Sequence, residues 1–349
     1  MILPQSYIAT LIVMIAAMLC LGSWVSTYKM ARGLRFELFY FDFAFGVILT
    51  AVVLAFTVGS MGFDGFSFTD DMMHGGKHQW FYGLLAGMIF NLANLLLVAA
   101  VSIAGISIAF PLAVGCALIA GSLLQLFTGD ATNTTLVITG CLMIVLAIGA
   151  DVFAYGGLLV NRHEELAKSG KAKSTRRPGP FKGVILCVAS GLVMCVPPLL
   201  IRAAMQGEIG IGPYSTSFVF AAGMFFSTFV FNIFFVNLPV EGEPVELGDY
   251  VKSGLKTHLL GFVGGAIFAA GATAVLAAQA APAAANLGPA LNSALPQGMV
   301  IVAALWGLLV WREFSRTELK LKLAAVLMLV CYICGLALLS VAPLFVRRS

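Results

Sequence analysis

The chain has 349 residues, 60% of them hydrophobic and only 10% charged, where soluble domains carry about 25% charged residues. Its net charge of +4 gives no case for nucleic acid binding. Its mean hydropathy of +0.99 excludes an ordinary soluble domain and points to a multispanning membrane protein.

A helix needs roughly 20 apolar residues to cross the hydrocarbon core. Ten stretches qualify: 6–28, 38–60, 80–102, 105–127, 134–159, 181–205, 213–237, 257–280, 288–311 and 320–346. Each is expected to be helical, because lipid offers no partner to a free backbone group. The expected class is an all-α polytopic membrane protein of ten transmembrane helices.

Span 1 carries Gly22-Ser23-Trp24 and then Lys29. Trp24 reads either as a ring that stacks on a planar ligand or as an interfacial anchor, and Lys29 as a gating or vestibule cation. Span 2 opens with Glu37 and Asp42 beside Lys29, Arg32 and Arg35. Acidic groups are favoured at a helix N-terminus, and both are also candidates for proton coupling.

Span 3 starts with Gly83-x-x-x-Gly87, a spacing that lets helix backbones approach. Asn91 and Asn94 follow, three residues apart and so on one face. Two carboxamides near mid-depth can donate and accept hydrogen bonds to a neutral polar ligand, or they can tie helices together. The link SIAGIS leads into span 4, read as opening on Pro111.

Span 5 carries Asp151 and, one turn on, Tyr155. Asp151 lies roughly 13 Å from the polar stretch that follows, by helical rise. A carboxyl inside the membrane is a functional suspect and a candidate proton carrier. Tyr155 is a candidate stacking ring.

Residues 161–182, NRHEELAKSGKAKSTRRPGPFK, carry seven Lys or Arg and divide the chain into five spans at 1–160 and five at 183–349. Placing alternate loops on opposite sides leaves only Lys77, Arg202, Arg347 and Arg348 of the 20 basic residues on one side. The other side is cytoplasmic by the positive-inside rule. The linker is then cytoplasmic and both termini lie outside, in a cell (inner) membrane. The start, MILPQSY, reads as an uncleaved first span.

In span 6, Pro197-Pro198 is expected to kink or break the helix. Arg202 then either snorkels or lines an outer vestibule. Asn232 in span 7 is a weaker polar candidate. Span 8 repeats the glycine pair as Gly261-x-x-x-Gly265. Span 9 opens on Pro289 and offers Asn292, Pro296 and Gln297, with Asn286 just before it. Asn292 and Gln297 are the second-half counterparts of Asn91 and Asn94. Trp306, Trp311, Arg312 and Glu313 read as an interfacial anchor with a local ion pair.

Each half has an odd number of spans, so the second copy enters the membrane from the opposite face. The matched links, prolines and glycine pairs favour an inverted repeat, an arrangement that places substrate near the midplane and supports alternating access.

No catalytic or metal constellation emerges. His163-Glu164-Glu165 lacks the second histidine of a zinc helix, and Ser169-Gly170-Lys171-Ala172 fails the P-loop pattern. The seven cysteines all fall in apolar spans and read as small packing residues. No cofactor is expected, and the chain is not expected to be an enzyme.

Ten short spans in a five-plus-five inverted repeat resemble the drug/metabolite transporter superfamily. Three runs narrow the resemblance to the ureide permease family: Gly22-Ser23-Trp24 with Tyr28-Lys29, then Arg35 to Phe43 (RFELFYFDF), then Ala304 to Phe314 (ALWGLLVWREF). Sugar-uptake relatives share similar glycine and tryptophan patterns. The short central loop departs from the long, P-loop-like loop of plant members and is expected of a bacterial member.

The resemblance implies proton-coupled uptake of small neutral nitrogenous heterocycles, ureides such as allantoin or purine and pyrimidine nucleobases, through a central cavity. Trp24, Asn91, Asn94, Tyr155, Asn292 and Gln297 would bind substrate. Asp151, Asp42 or Glu37 would handle the proton, and Lys29, Pro111, Pro198, Arg202 and Pro289 would serve gate or vestibule. A sugar or nucleoside transporter is the alternative, followed by an exporter of metabolites or drugs and, remotely, a non-transporting scaffold.

Overall fold

A computed structural model describes residues 1–31, 34–62, 64–128, 132–168, 180–237, 240, 247–315 and 317–345. Among them are ten helices long and apolar enough to cross a membrane. They are α1 (Tyr7–Met30), α2 (Phe36–Phe56), α3 (Lys77–Ala104), α4 (Ile106–Phe127), α5 (Thr134–Glu165), α6 (Phe181–Met205), α7 (Pro213–Asn237), α8 (Leu255–Gln279), α9 (Gly288–Val310) and α10 (Leu319–Phe345). The described residues contain no strand. The fold class expected from hydropathy is the fold observed.

Several spans are interrupted. α1 is two helices that meet at Trp24. α6 breaks after Met194 and restarts at Pro197, because a proline has no N–H to continue the ladder. α9 ends its first segment at Gln297, resumes at Met299 and closes in a π turn, Trp306–Val310.

Three details differ from expectation. The helix of α5 continues to Lys168, so the first part of the 161–182 linker is helical, with Glu164 one turn before Lys168 in a favourable pairing register. Residues 169–179 of that linker lie outside the described residues. α4 starts at Ile106, so Pro111 sits inside the helix instead of opening it. α2 starts at Phe36, which puts Glu37 in its first turn and Asp42 in its second.

The chain packs as two compact units, residues 1–95 with 193–302 and residues 96–192 with 303–349. Each draws on both halves of the sequence. Within the first unit, α3 meets α7 and α2 meets α8 through glycines. A Cβ on Gly87 would overlap the Phe220 carbonyl, and one on Gly223 the Leu84 carbonyl. In the same way Gly265 lies against the Phe43 carbonyl and Gly46 against that of Phe262. Counted within the halves, α3 with α7 and α8 with α2 are the same pair, third span with second. Gly22 of α1 against Met299 of α9, in the first unit, matches Gly191 of α6 against Ala113 of α4, in the second.

Candidate functional site

The most polar part of the first unit's core is built on the close approach of α3 and α7. Asn91 lies one turn beyond Gly87, and Ser227 one turn beyond Gly223. The backbone approach at the glycines therefore brings the carboxamide onto the hydroxyls. Asn91 Nδ2 donates to Ser227 Oγ at 2.8 Å and to Thr228 Oγ1 at 3.1 Å. Those hydroxyls donate in turn to helix carbonyls, Ser227 to Gly223 at 2.7 Å and Thr228 to Met224 at 2.8 Å.

α2 supplies the next member. Phe36, Phe39, Tyr40, Phe43 and Val47 follow helical spacing, and all are buried. Tyr40 Oη donates to Asn91 Oδ1 at 2.9 Å and accepts from Asn94 Nδ2 at 3.0 Å. Asn91 and Asn94 are 0% and 1% exposed, so an unmade hydrogen bond here is costly. Even so, Asn94 Oδ1 has no hydrogen-bond partner among the described residues.

Aromatic rings adjoin this network. Tyr40 and Phe43 have ring centroids 5.1 Å apart, and Phe43 lies 4.7 Å from Trp24 and 5.7 Å from Phe268. Phe90, next to Asn91 in sequence, stacks on Phe268 at 5.4 Å. Trp24 is 2% exposed and packs inside this cluster, where a membrane-interface anchor would be expected to face outward. Offset and edge-on ring contacts of this kind are favourable.

The proposed counterparts in α9 lie elsewhere in the unit. Asn292 Nδ2 donates to Asn286 Oδ1 at 2.9 Å, and that oxygen also accepts from the Gly288 N–H at 2.8 Å. Asn292 is thus tied to the link before α9. Gln297 ends the first segment of that helix. Among the described residues no hydrogen bond joins either to Tyr40, Asn91 or Asn94.

Asp42 is held by two groups that sequence reading did not connect to it. His258 Nδ1 lies 2.8 Å from Asp42 Oδ2, and Tyr250 Oη donates to Asp42 Oδ1 at 2.6 Å. His258 Nε2 also reaches the Tyr250 carbonyl at 3.1 Å. Tyr250 belongs to the short helix Leu247–Lys252, outside the spans. Burial, then the Asp42 carboxylate that accepts its proton, raises its phenol above the ordinary range, so Tyr250 remains a donor. Glu37, fully buried, pairs with Arg35 at 2.6 Å, and its carbonyl accepts from Asn232 Nδ2 at 2.6 Å.

In the second unit Asp151 is 1% exposed, and its Oδ2 has no hydrogen-bond partner among the described residues. Tyr155 packs there with Ala104, Ile108, Leu158, Phe314 and Leu321. Glu313, read in the sequence as part of an interfacial anchor with a local ion pair, makes a long-range contact that the sequence does not indicate. Its carboxylate accepts from the backbone N–H groups of Ile106 and Ser107, each at 3.0 Å, and from the Ser107 hydroxyl. It caps α4, where an anion is favoured by the free N–H groups and the dipole. Gly105, at φ +98°, makes the turn that permits this, and a Cβ there would meet the Glu313 carboxylate.

Of the remaining gate and vestibule candidates, Pro111 is buried and Lys29 half-buried, while Pro198, Arg202 and Pro289 are exposed.

The chain is similar to two plant proteins along nearly all of its length. It is 22% identical over 383 residues to Ureide permease 1 of Arabidopsis thaliana, covering 93% of this chain and 95% of that protein. It is 23% identical over 404 residues to Ureide permease 2 of the same plant, covering 97% and 98%. Ureide permease 4 is 29% identical over 149 residues, 40% of this chain. No family model matches. One solved structure aligns over 98% of this chain and 99% of its own, with 16% identity and a TM-score of 0.50, and it bears on the fold alone.

Proposed function

We propose that this chain is a secondary transporter that takes up small, neutral, nitrogen-rich compounds, ureides such as allantoin or purine and pyrimidine nucleobases, by alternating access. One observation carries the reading: a buried amide–phenol–amide relay, Asn91–Tyr40–Asn94, beside a cluster of aromatic rings in a ten-span chain. Amides match the N–H and C=O groups of such ligands, and the rings match their flat faces. The similarity to proteins named ureide permeases supports the substrate class. The recurring glycine contacts of corresponding spans support an inverted repeat, and the interruptions in α1, α6 and α9 are of the kind that transporters place near their sites.

Ligand binding requires the buried packing around Trp24 and Asn94 to open. Proton coupling, with Asp151 or Asp42 as carrier, is part of the proposal. Asp151 is a buried carboxyl whose Oδ2 has no hydrogen-bond partner among the described residues, and Asp42 is bonded to a histidine. The orientation with termini outside rests on the distribution of basic residues.

Thermal-shift screening of the purified protein tests the substrate class. Allantoin, uracil or xanthine should raise the melting temperature in a saturable way. Stabilisation by monosaccharides or nucleosides, with none by ureides or nucleobases, would favour the sugar or nucleoside alternative and overturn this reading.

A further inference from the structure

We infer that Asn94 presents its side-chain carbonyl oxygen to the substrate as a fixed acceptor, so that the transporter selects ligands that donate an N–H, and that Asn91 holds that oxygen in place without touching the ligand. The inference rests on the transporter reading above and adds the polarity of the site.

The polarity follows from where the relay begins. Ser227 and Thr228 donate to the carbonyls of Gly223 and Met224, and a carbonyl can only accept. With their protons so committed, the hydroxyl oxygens accept from Asn91 Nδ2. The amino end of Asn91 therefore faces α7, and its Oδ1 faces Tyr40 and accepts the phenol proton. The phenol oxygen then accepts from Asn94 Nδ2, which leaves Asn94 Oδ1 as the open end.

Amide orientation is assigned from the hydrogen-bond network, and here the network discriminates. The reverse relay would put Asn91 Oδ1 against Ser227 Oγ and so release the Ser227 hydroxyl from the Gly223 carbonyl that it holds at 2.7 Å. Thr228 Oγ1 lies near both ends of the Asn91 carboxamide, 3.1 Å from Nδ2 and 3.3 Å from Oδ1, so the direction rests on Ser227. Asn91 is saturated: both Nδ2 hydrogens and its oxygen are engaged within the protein. Asn94 oxygen is the one pole of the relay that a ligand can satisfy. A site built on a buried hydrogen-bonding group strongly rejects an analogue that cannot complete the bond, because the group is then left unpaired.

The test is competition by uracil, 1-methyluracil and 3-methyluracil in counterflow of radiolabelled uracil into liposomes holding the full chain, with allantoin and xanthine as further labelled substrates. Each methyl group removes one N–H donor. In the wild-type protein at least one monomethyl compound should compete on the order of tenfold less well than uracil, or worse. In Asn94→Leu that penalty should shrink to about threefold or less, because the acceptor is gone. Tyr40→Phe should shrink it too, since it removes only a hydroxyl and frees the Asn94 carboxamide to rotate. Tyr40→Phe also serves if Asn94→Leu fails to fold. A purely structural role for Tyr40 would change affinity without changing the ratio between uracil and its methyl derivatives.

An equal methyl penalty in wild-type and both variants, or no penalty at either nitrogen, would overturn the inference while leaving transport of nucleobases standing. Failure of the wild-type protein to exchange uracil, allantoin and xanthine would overturn the proposed function, and this inference with it.

Discussion

Gly87 and Gly223 each lie against the backbone of the other's helix, on carbonyls one turn earlier, Phe220 and Leu84 respectively. The contact stands one turn from the Asn91–Ser227 hydrogen bond, so the packing of two spans and the placement of the polar relay are one feature. The pair Gly46 and Gly265 does the same for α2, which carries Tyr40, and α8, which carries Phe268.

Gly87→Leu should therefore destabilise the protein by about 1–3 kcal/mol, the usual range for overpacking, and should also weaken ligand binding by displacing Asn91. Gly265→Leu should act alike. Gly149→Leu is the control, because a Cβ there meets nothing within 4 Å. Thermal unfolding in detergent measures all three. Equal melting temperatures for the Gly87 and Gly149 variants would contradict the close-packing account.

Glu313 anchors the start of α4 through two backbone N–H groups and the Ser107 hydroxyl. Glu313→Ala leaves those donors without their acceptor and should cost about 1–3 kcal/mol. Glu313→Gln keeps an acceptor and should cost less. Ser107→Ala removes one partner of three and should be milder than Glu313→Ala. The order of melting temperatures checks this; a silent Glu313→Ala would mean the cap carries no weight.

Coupling is separable from binding. If Asp151 or Asp42 carries the proton, one of Asp151→Asn and Asp42→Asn should abolish accumulation driven by a pH gradient while preserving exchange of labelled for unlabelled substrate. His258→Gln should follow Asp42→Asn if Asp42 is the carrier, because His258 bonds one of its oxygens. Gradient-driven uptake that survives both carboxylate substitutions would remove protons on these residues from the mechanism.

Hydropathy was enough to read the ten spans, since each is a predominantly apolar run set off by polar or glycine-rich links. The break at Pro197-Pro198 was legible for the same local reason. The cap at the start of α4 was not, because Glu313 is 207 residues from Ile106. Asn91 and Asn94 stood out as polar groups at helical spacing in an apolar span. Their partners did not: Tyr40 is 51 residues from Asn91 and Ser227 136 residues away, and a buried Tyr or Ser looks like any other in sequence. His258, in the first turn of α8, and Tyr250, in the short helix before it, carry no such signal, since polar residues are ordinary there and only the folded chain brings them to Asp42. Asn292 matched Asn91 and Asn94 by residue type in a corresponding half, but type alone does not say which neighbour an amide finds, and Asn292 finds Asn286.

Radiolabel uptake into proteoliposomes with an imposed pH gradient tests the central claim most directly. The account predicts that allantoin, uracil or xanthine is concentrated inside above its external level and that collapsing the gradient releases it. Uptake of none of the three, from liposomes in which the protein is folded and correctly inserted, would contradict it.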